Sequence, residues 1–312
     1  MISKEYFSKG KLLVSGEYLV LYGALALAVP TRFGQSMSID NTAHKGVIDW
    51  HTSVQGKSWF QSRFSLPDFF ILKSNNSKSA EYIQKILLAA KKHNPLFLVN
   101  SLGYQVNSEL DFNIDWGLGS SSSLISNIAY WANIDPYDLH SEVSKGSGYD
   151  IACSRASKSV LYKKSGDQRV IEEVDFNPPF SNKIYFIYLG RKMDTESVVN
   201  KFYDQSNDFY HEIQKINNIT RQMVHCMDYQ VFGKLMQEHE AILSAVLNEP
   251  TLKNGVFNDF DGQIKSLGAW GGDFAMALWT KSRQELKEYL SYKRLNTFFG
   301  FKEMIYDSSE NR

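Results

Sequence analysis

Two rhythms of apolar and polar residues interleave along the whole chain, one with a period of two and one of three to four. Lys11 to Val20 is apolar and partly alternating, which predicts a strand, a turn at Gly16 and a second strand-like run. The small-residue run Ala24 to Ala28 follows and is closed by Pro30; further strands are expected around Ser36–Ile39 and Gly46–Trp50. Ser79 to His93 carries Tyr82, Ile83, Ile86, Leu87 and Ala90 at helical spacing. Tyr104 to Ile114 alternates weakly, as a strand would. The Gly-rich segment Gly117 to Ser123 then opens a helix whose buried side would be Leu124, Ile125, Ile128 and Trp131. A short helix is expected at Pro136, capped by Asp135, and is broken by Gly146-Ser147-Gly148. Ile151 to Ala156 predicts another short helix, and Ser159–Lys163 and Arg169–Val174 predict strands.

Asn177-Pro178-Pro179 is the expected domain boundary, dividing the chain into 1–178 and 179–312. Beyond it Ile184–Leu189 predicts a buried strand. Helical patterns cover Thr195–Ala245, with a break, and Gly255 to Lys265. Ala275–Thr280 predicts a strand and Arg283 to Tyr292 a helix. Strands alternate with helices in both halves, so the class is mixed α and β.

Composition narrows what such a chain does. Its 312 residues are 43% hydrophobic and 22% charged, as in soluble globular proteins, and are enough for two packed domains. Lys plus Arg equals Asp plus Glu at 34 each, which leaves no general field for nucleic acid. The basic pairs Lys91-Lys92 and Lys163-Lys164 read as solvated faces. Cys153 and Cys226 lie far apart without metal-ligand spacing, and read as two reduced thiols. No segment has a signal-peptide core or a bilayer-spanning apolar run, so a cytoplasmic protein without membrane partners is expected. His239, between Glu238 and Glu240 on an expected helix, belongs to no H-E-x-x-H pattern and reads as a surface histidine. A homodimer is the default for a soluble oligomer.

Four segments carry candidate chemistry. In Trp116-Gly117-Leu118-Gly119-Ser120-Ser121-Ser122-Ser123, two glycines let backbone approach a ligand, and four hydroxyls and a helix N-terminus would face it. That is a phosphate cradle or, more plainly, a connector to a Ser-capped helix. No Lys follows the last Gly, so it is not a Walker A loop, and no protein-kinase motifs accompany it. In Gly10-Lys11-Leu12-Leu13-Val14-Ser15-Gly16-Glu17-Tyr18, a cation and a carboxylate bracket a strand and a turn. Lys11 suits a phosphate oxygen, while Glu17 suits a substrate or Lys11 itself; both also suit solvated strand ends. In Gly146-Ser147-Gly148-Tyr149-Asp150, Asp150 is placed as a base or as a helix cap. Gly268-Ala269-Trp270-Gly271-Gly272-Asp273 is a Gly-rich turn before a strand.

Taken together and in this order, the four segments resemble the motifs of the GHMP kinase superfamily. The first looks like G-K-x-x-x-x-G-E-[HY] at Gly10 to Tyr18, the second like G-L-G-S-S at Gly117 to Ser121, and the last like G-A-G-G-G at Gly268 to Asp273. Gly146 to Asp150 is similar to the G-S-G-[FY]-D of phosphomevalonate kinases, and Gly271-Gly272-Asp273 to the G-G-D of bacterial members of that branch. The resemblance implies an α+β two-domain GHMP kinase fold, with an N-terminal part like ribosomal protein S5 domain 2 and a C-terminal ferredoxin-like part. It implies ATP and Mg²⁺ in a cleft between the domains and a small-molecule phosphoryl acceptor. Mevalonate or phosphomevalonate is the first choice, which would place the protein in isoprenoid biosynthesis; a sugar or homoserine is the alternative. It further implies Asp150 and Lys11 as catalytic residues. Gly117, Leu118, Gly119, Ser120, Ser121 and Ser122 would bind the nucleotide, and Ser121 would hold Mg²⁺. Lys11, Glu17, Ser147, Gly148, Gly271 and Gly272 would lie at the substrate.

The chain departs from the family pattern in three places. Asp115-Trp116 stand where the loop usually begins with Pro, Ser122-Ser123 replace Ala-Ala, and Trp270 replaces a Gly, where a bulky ring would narrow the substrate end of the cleft. Glu142 is nearer to Asp150 than the family's second metal ligand would be, which leaves the carboxylate ligand open. A mevalonate-diphosphate-type decarboxylase and a non-catalytic ligand sensor are the other readings of this superfamily. The presence of both Lys11 and Asp150 favours an enzyme over a sensor.

Overall fold

The computed structural model describes residues 4–99, 102–166, 168–190 and 208–308. Its strands form one large sheet and one separate four-stranded sheet, with helices distributed among them. The chain divides into two compact units that interleave along the sequence. The first comprises the chain up to Gly10, Phe33–Ile114 and Leu118–Arg155; the second comprises Lys11–Arg32, Asp115–Gly117 and the chain from Ala156 onward.

Strands β1 (Lys4–Ser15) and β2 (Ala26–Thr42) pair with each other and run through both units. In the first unit β2 continues into β6 (Gly103–Leu110), β3 (Val47–Val54), β4 (Lys57–Ser65) and β5 (Ile71–Ser74), in that spatial order. The β3–β6 pair is parallel and the others are antiparallel. Against the sheet lie α1 (Ser77–His93), α2 (Ser120–Ala132), α3 (Pro136–Val143) and α4 (Tyr149–Arg155). Their starts follow from local chemistry. Asn76 accepts from Ser79 N to begin α1, and Asp135 accepts from Tyr137 N at 2.8 Å with Pro136 in the first turn of α3. The core joins Trp50, Phe60, Phe64 and Phe69 to Ile83, Ile86 and Leu87 of α1 and to Ile125, Ile128 and Trp131 of α2.

In the second unit the first residues of β2 pair with β7 (Ser159–Ser165), and β7 with β8 (Gln168–Val174). The smaller sheet is antiparallel, in the order β10 (Gln263–Leu267), β11 (Phe274–Leu278), β9 (Ile184–Tyr188), β12 (Phe298–Gly300). Helices α5 (Tyr210–Val224), α6 (Tyr229–Leu247), α7 (Arg283–Tyr292) and the short α8 (Phe301–Met304) complete it. All five residues of β11 are buried, which explains its unbroken apolar run. A reciprocal capping box between Ser282 and Glu285 starts α7 where the sequence places it.

Three expectations change. The second strand-like run after Gly16 is a 3-10 helix at Leu19–Tyr22, because Gly23 ends it in a left-handed turn before two strand residues can pair. Gly255 to Lys265 is not a helix. Successive turns bury Phe257 and Phe260, whose three-residue spacing imitates a helical face, and β10 then begins at Gln263. Strand β4 escapes the sequence reading because its inward positions are Phe60, Ser62 and Phe64, an alternation broken by a polar member. The part of the Thr195–Ala245 pattern before residue 208 lies outside the described residues.

Candidate functional site

The glycines of the Gly117–Ser123 segment occupy backbone conformations that other residues rarely adopt. Gly117 and Gly119 both have positive φ, at 66° and 92°. Gly119 is the N-cap of α2, and no side chain caps that helix. The backbone N–H groups of Ser120, Ser121 and Ser122 precede the first intrahelical bond, which Ser123 N donates to Gly119 O at 3.0 Å. A helix start of this kind, thirteen residues long and without an anionic cap, is suited to phosphate oxygens.

The four serines do not form one face. Ser121 is exposed and Ser120 half-buried, whereas Ser122 and Ser123 are buried. The Ser122 hydroxyl donates back to Gly119 O at 3.0 Å, so Ser122 offers a ligand only its backbone N–H. The Ser123 hydroxyl donates to Gln35 Oε1 at 2.8 Å. One turn on, the wholly buried Asn127 accepts from the Ser8 hydroxyl at 2.7 Å and donates to Gln35 O at 2.9 Å. The inner face of α2 is therefore part apolar and part hydrogen-bonded. Ser121 exchanges a hydrogen bond with the Tyr82 hydroxyl of α1.

Asp150 lies in the first turn of α4, half-buried, with its own carboxylate accepting from Ile151 N at 3.0 Å. His140 of α3, buried, places Nε2 3.8 Å from Asp150 Oδ1. The sequence pattern did not single out His140, because a lone histidine on a helix carries no motif. Ser147 is buried beside this turn, and Gly148, at φ 93°, supplies the carbonyl for the first helical bond. Glu142 is paired with Lys92 at 2.8 Å and lies 3.6 Å from His93, on the surface of the same unit. Among the described residues no group of three His, Cys, Asp or Glu could hold a metal ion. Cys153 and Cys226 are both buried and not joined in a disulfide. None of the described helices is long and apolar enough to cross a membrane.

The first and last motifs belong to the second unit, where Lys11 lies half-buried on β1. Beyond it the chain turns at Gly16, and there Glu17 is buried with its carboxylate committed within the protein. Oε1 accepts from Lys265 Nζ at 2.7 Å, and Oε2 lies 3.1 Å from His239 Nε2. Pairing with Lys11 is thus replaced by pairing with a lysine 248 residues away. His239, expected on the surface, is fully buried; its Nε2 also lies 3.1 Å from Gly16 N. Burial would push the Glu17 carboxyl up, but the Lys265 ammonium and the His239 ring outweigh it and hold it at about 2. Burial and the neighbouring Lys265 charge lower the pKa of His239. Glu240, next on α6, accepts from Ser266 N at 3.0 Å and Leu252 N at 3.3 Å; burial pushes its carboxyl up to about 7.

The Gly-rich loop from Gly268 to Asp273 is built with positive φ at Gly268, Gly271 and Asp273. Trp270 N donates to the Tyr18 hydroxyl at 2.6 Å, and Gly271 N to Ser266 Oγ at 3.1 Å. The Trp270 ring packs against the apolar cluster of Tyr18, Leu19, Phe209, Ile216 and Leu243. Trp116, which replaces the usual lead-in to the phosphate loop, packs edge-on against Phe274 and Phe299 and beside Tyr188.

The architecture is the two-domain GHMP kinase fold. Methanococcus jannaschii mevalonate kinase superposes with a TM-score of 0.69 at 19% identity, covering 96% of this chain and 97% of that one. Streptococcus pneumoniae phosphomevalonate kinase, in complex with phosphomevalonate and AMPPNP, gives 0.68 at 16% identity over 96% and 100%. Lactococcus lactis galactokinase complexed with galactose gives 0.69 at 14% identity over 98% and 94%. No family model matches the sequence, and no curated protein does.

Proposed function

We propose that this protein is an ATP-dependent small-molecule kinase, with mevalonate or phosphomevalonate as its acceptor. The observation that carries this reading is the uncapped start of α2 behind two left-handed glycines, with Ser121 exposed at its rim. The fold supports it, since it is shared with mevalonate, phosphomevalonate and galactose kinases. The nucleotide phosphates would take the N–H groups of Ser120 to Ser122, and Gly117 to Gly119 would give them room. Mg²⁺, which neutralises phosphate charge when bound, needs few protein ligands in such sites, and the exposed Ser121 hydroxyl suits it.

Transfer would form a bond from the acceptor oxygen to the γ-phosphorus and break the bond to the β–γ bridging oxygen, releasing ADP. For a hydroxyl acceptor, Asp150 takes or steers the proton, with the buried His140 ring 3.8 Å from its carboxylate. A phosphate acceptor is already ionised and needs no base. Lys11 offsets charge on the transferred group, so the protein's part is positioning and electrostatics. The test is ADP release from Mg-ATP with mevalonate, phosphomevalonate, homoserine, sugars and sugar phosphates in turn. Turnover on one acceptor that falls by about a hundredfold or more in Asp150→Asn supports the kinase. ATP binding without turnover on any of them supports the sensor instead, and CO₂ release with phosphate supports the decarboxylase.

A further inference from the structure

The mechanism above gives no task to Lys265, yet its surroundings are unusual for a lysine. The side chain is wholly buried on β10. An ammonium has three protons to donate, and each has a partner here: Glu17 Oε1 at 2.7 Å, Val14 O at 3.0 Å and Ser266 O at 2.7 Å. Nothing is left for a ligand, so Lys265 does not act by touching one.

Its three partners lie within the first candidate segment and just before the last. Val14 is three residues beyond Lys11 on the same strand, and Glu17 closes the turn after it. Ser266 stands just before the glycine loop and binds Gly271 N through its own hydroxyl. The Tyr18–Trp270 hydrogen bond repeats the connection, one residue beyond Glu17 on one segment and four beyond Ser266 on the other. His239 backs the same turn at Gly16 N and Glu17 Oε2, and Glu240 holds Ser266 N from the same helix. One ammonium thus ties β1 and the Gly16 turn to β10, across the 248 residues that separate Glu17 from Lys265.

We propose that Lys265 is a positioning residue for phosphoryl transfer, its ammonium locking the strand that carries Lys11 to the loop that carries Gly271 and Gly272. The inference rests on the kinase reading. A misplacement of about 1 Å at a reacting centre costs on the order of a hundredfold in rate, which is the effect such a lock prevents.

Lys265→Met alone strands a buried carboxylate, which can unfold the chain. The decisive variant is therefore Glu17→Gln/Lys265→Met, which removes both charges and keeps the volume. Two quantities are read on the folded double variant: kcat with the KM for ATP, and hydrogen exchange at the Trp270 and Gly271 amides. The expected result is a kcat lower by at least about tenfold, a KM for ATP within about threefold of wild type, and amide exchange at least about tenfold faster. A merely structural pair would lower the melting temperature and leave the turnover of the folded enzyme unchanged. Unchanged kcat and exchange in the double variant, with an active wild type, overturn the positioning role alone. A wild type without transfer to any acceptor overturns the kinase reading and this inference with it.

Discussion

The carboxylate of Asp273 occupies the space that a β-carbon on Gly117 would need. Such a carbon would come within 2.2 Å of Asp273 Oδ2 and 2.3 Å of its Cγ, and Gly117 already sits at φ 66°. The glycine is required twice over, for conformation and for room. Gly117→Ala is expected to lose nucleotide affinity by roughly tenfold or more, since a left-handed L-residue alone costs about 1–2 kcal/mol. Gly117→Ala/Asp273→Gly relieves the clash but not the backbone strain, so the second change costs less in the variant background than in wild type. Nucleotide titration and thermal melting of the four proteins check this; strict additivity would show that the two residues do not meet.

Asn127 provides a second prediction. Its replacement by Ala leaves the Ser8 hydroxyl and the Gln35 carbonyl buried without their partner. Each such group costs about 1–3 kcal/mol, so urea denaturation is expected to show a loss of about 2–6 kcal/mol. A loss below about 0.5 kcal/mol, the usual size of a surface effect, would mean that water enters the site.

Glu240 makes stability depend on pH. Its carboxyl titrates near 7 in the folded chain against an ordinary 4.5, so the folded state binds a proton that the unfolded state releases. The contribution is complete below pH 4.5 and is lost as pH rises through 7, by up to about 1.4 kcal/mol for each pH unit inside that window. Glu17, held at about 2, acts in the opposite sense: its contribution is present above 4.5 and is lost as pH falls towards 2. Comparing Glu240→Gln with wild type isolates the first effect. The wild type should lose stability relative to the variant between pH 5 and 7.5, and parallel melting curves against pH would dismiss the assignment.

Ser121 is tested through the metal. Ser121→Ala is expected to raise the Mg²⁺ concentration for half-maximal turnover, and Tyr82→Phe, which removes the partner of that hydroxyl, to raise it in the same direction; losses of supporting contacts at metal sites run about ten- to a hundredfold. An unchanged Mg²⁺ titration in Ser121→Ala would remove Ser121 from the ligand set.

The backbone geometry of the candidate site was legible in the sequence, because it depends on residues with few alternatives. Gly117, Gly119 and Gly271 sit at positive φ, which glycine adopts without steric cost, and Asp135 and Pro136 begin α3 as local chemistry dictates. What stayed hidden depends on distance along the chain. Nothing local to Glu17 announces Lys265, and nothing local to His239 distinguishes a buried imidazole from an exposed one. The serine run misled for a related reason. Four hydroxyls in a row on a helix point in different directions, and only packing shows that Ser122 and Ser123 face inward. Phe257 and Phe260 show the limit of periodicity, since two turns can space buried rings as a helix does.

The separation of Glu17 from Lys265 also sets an order of events when the chain is made. They lie 248 positions apart, so at about 5–20 residues per second the carboxylate is made roughly 12–50 s before its counter-ion exists. Throughout that interval the Gly16 turn cannot be buried without stranding a charge. The amino-terminal strand therefore has to wait in contact with water, and a nascent chain released before Lys265 lacks the group that completes its first motif.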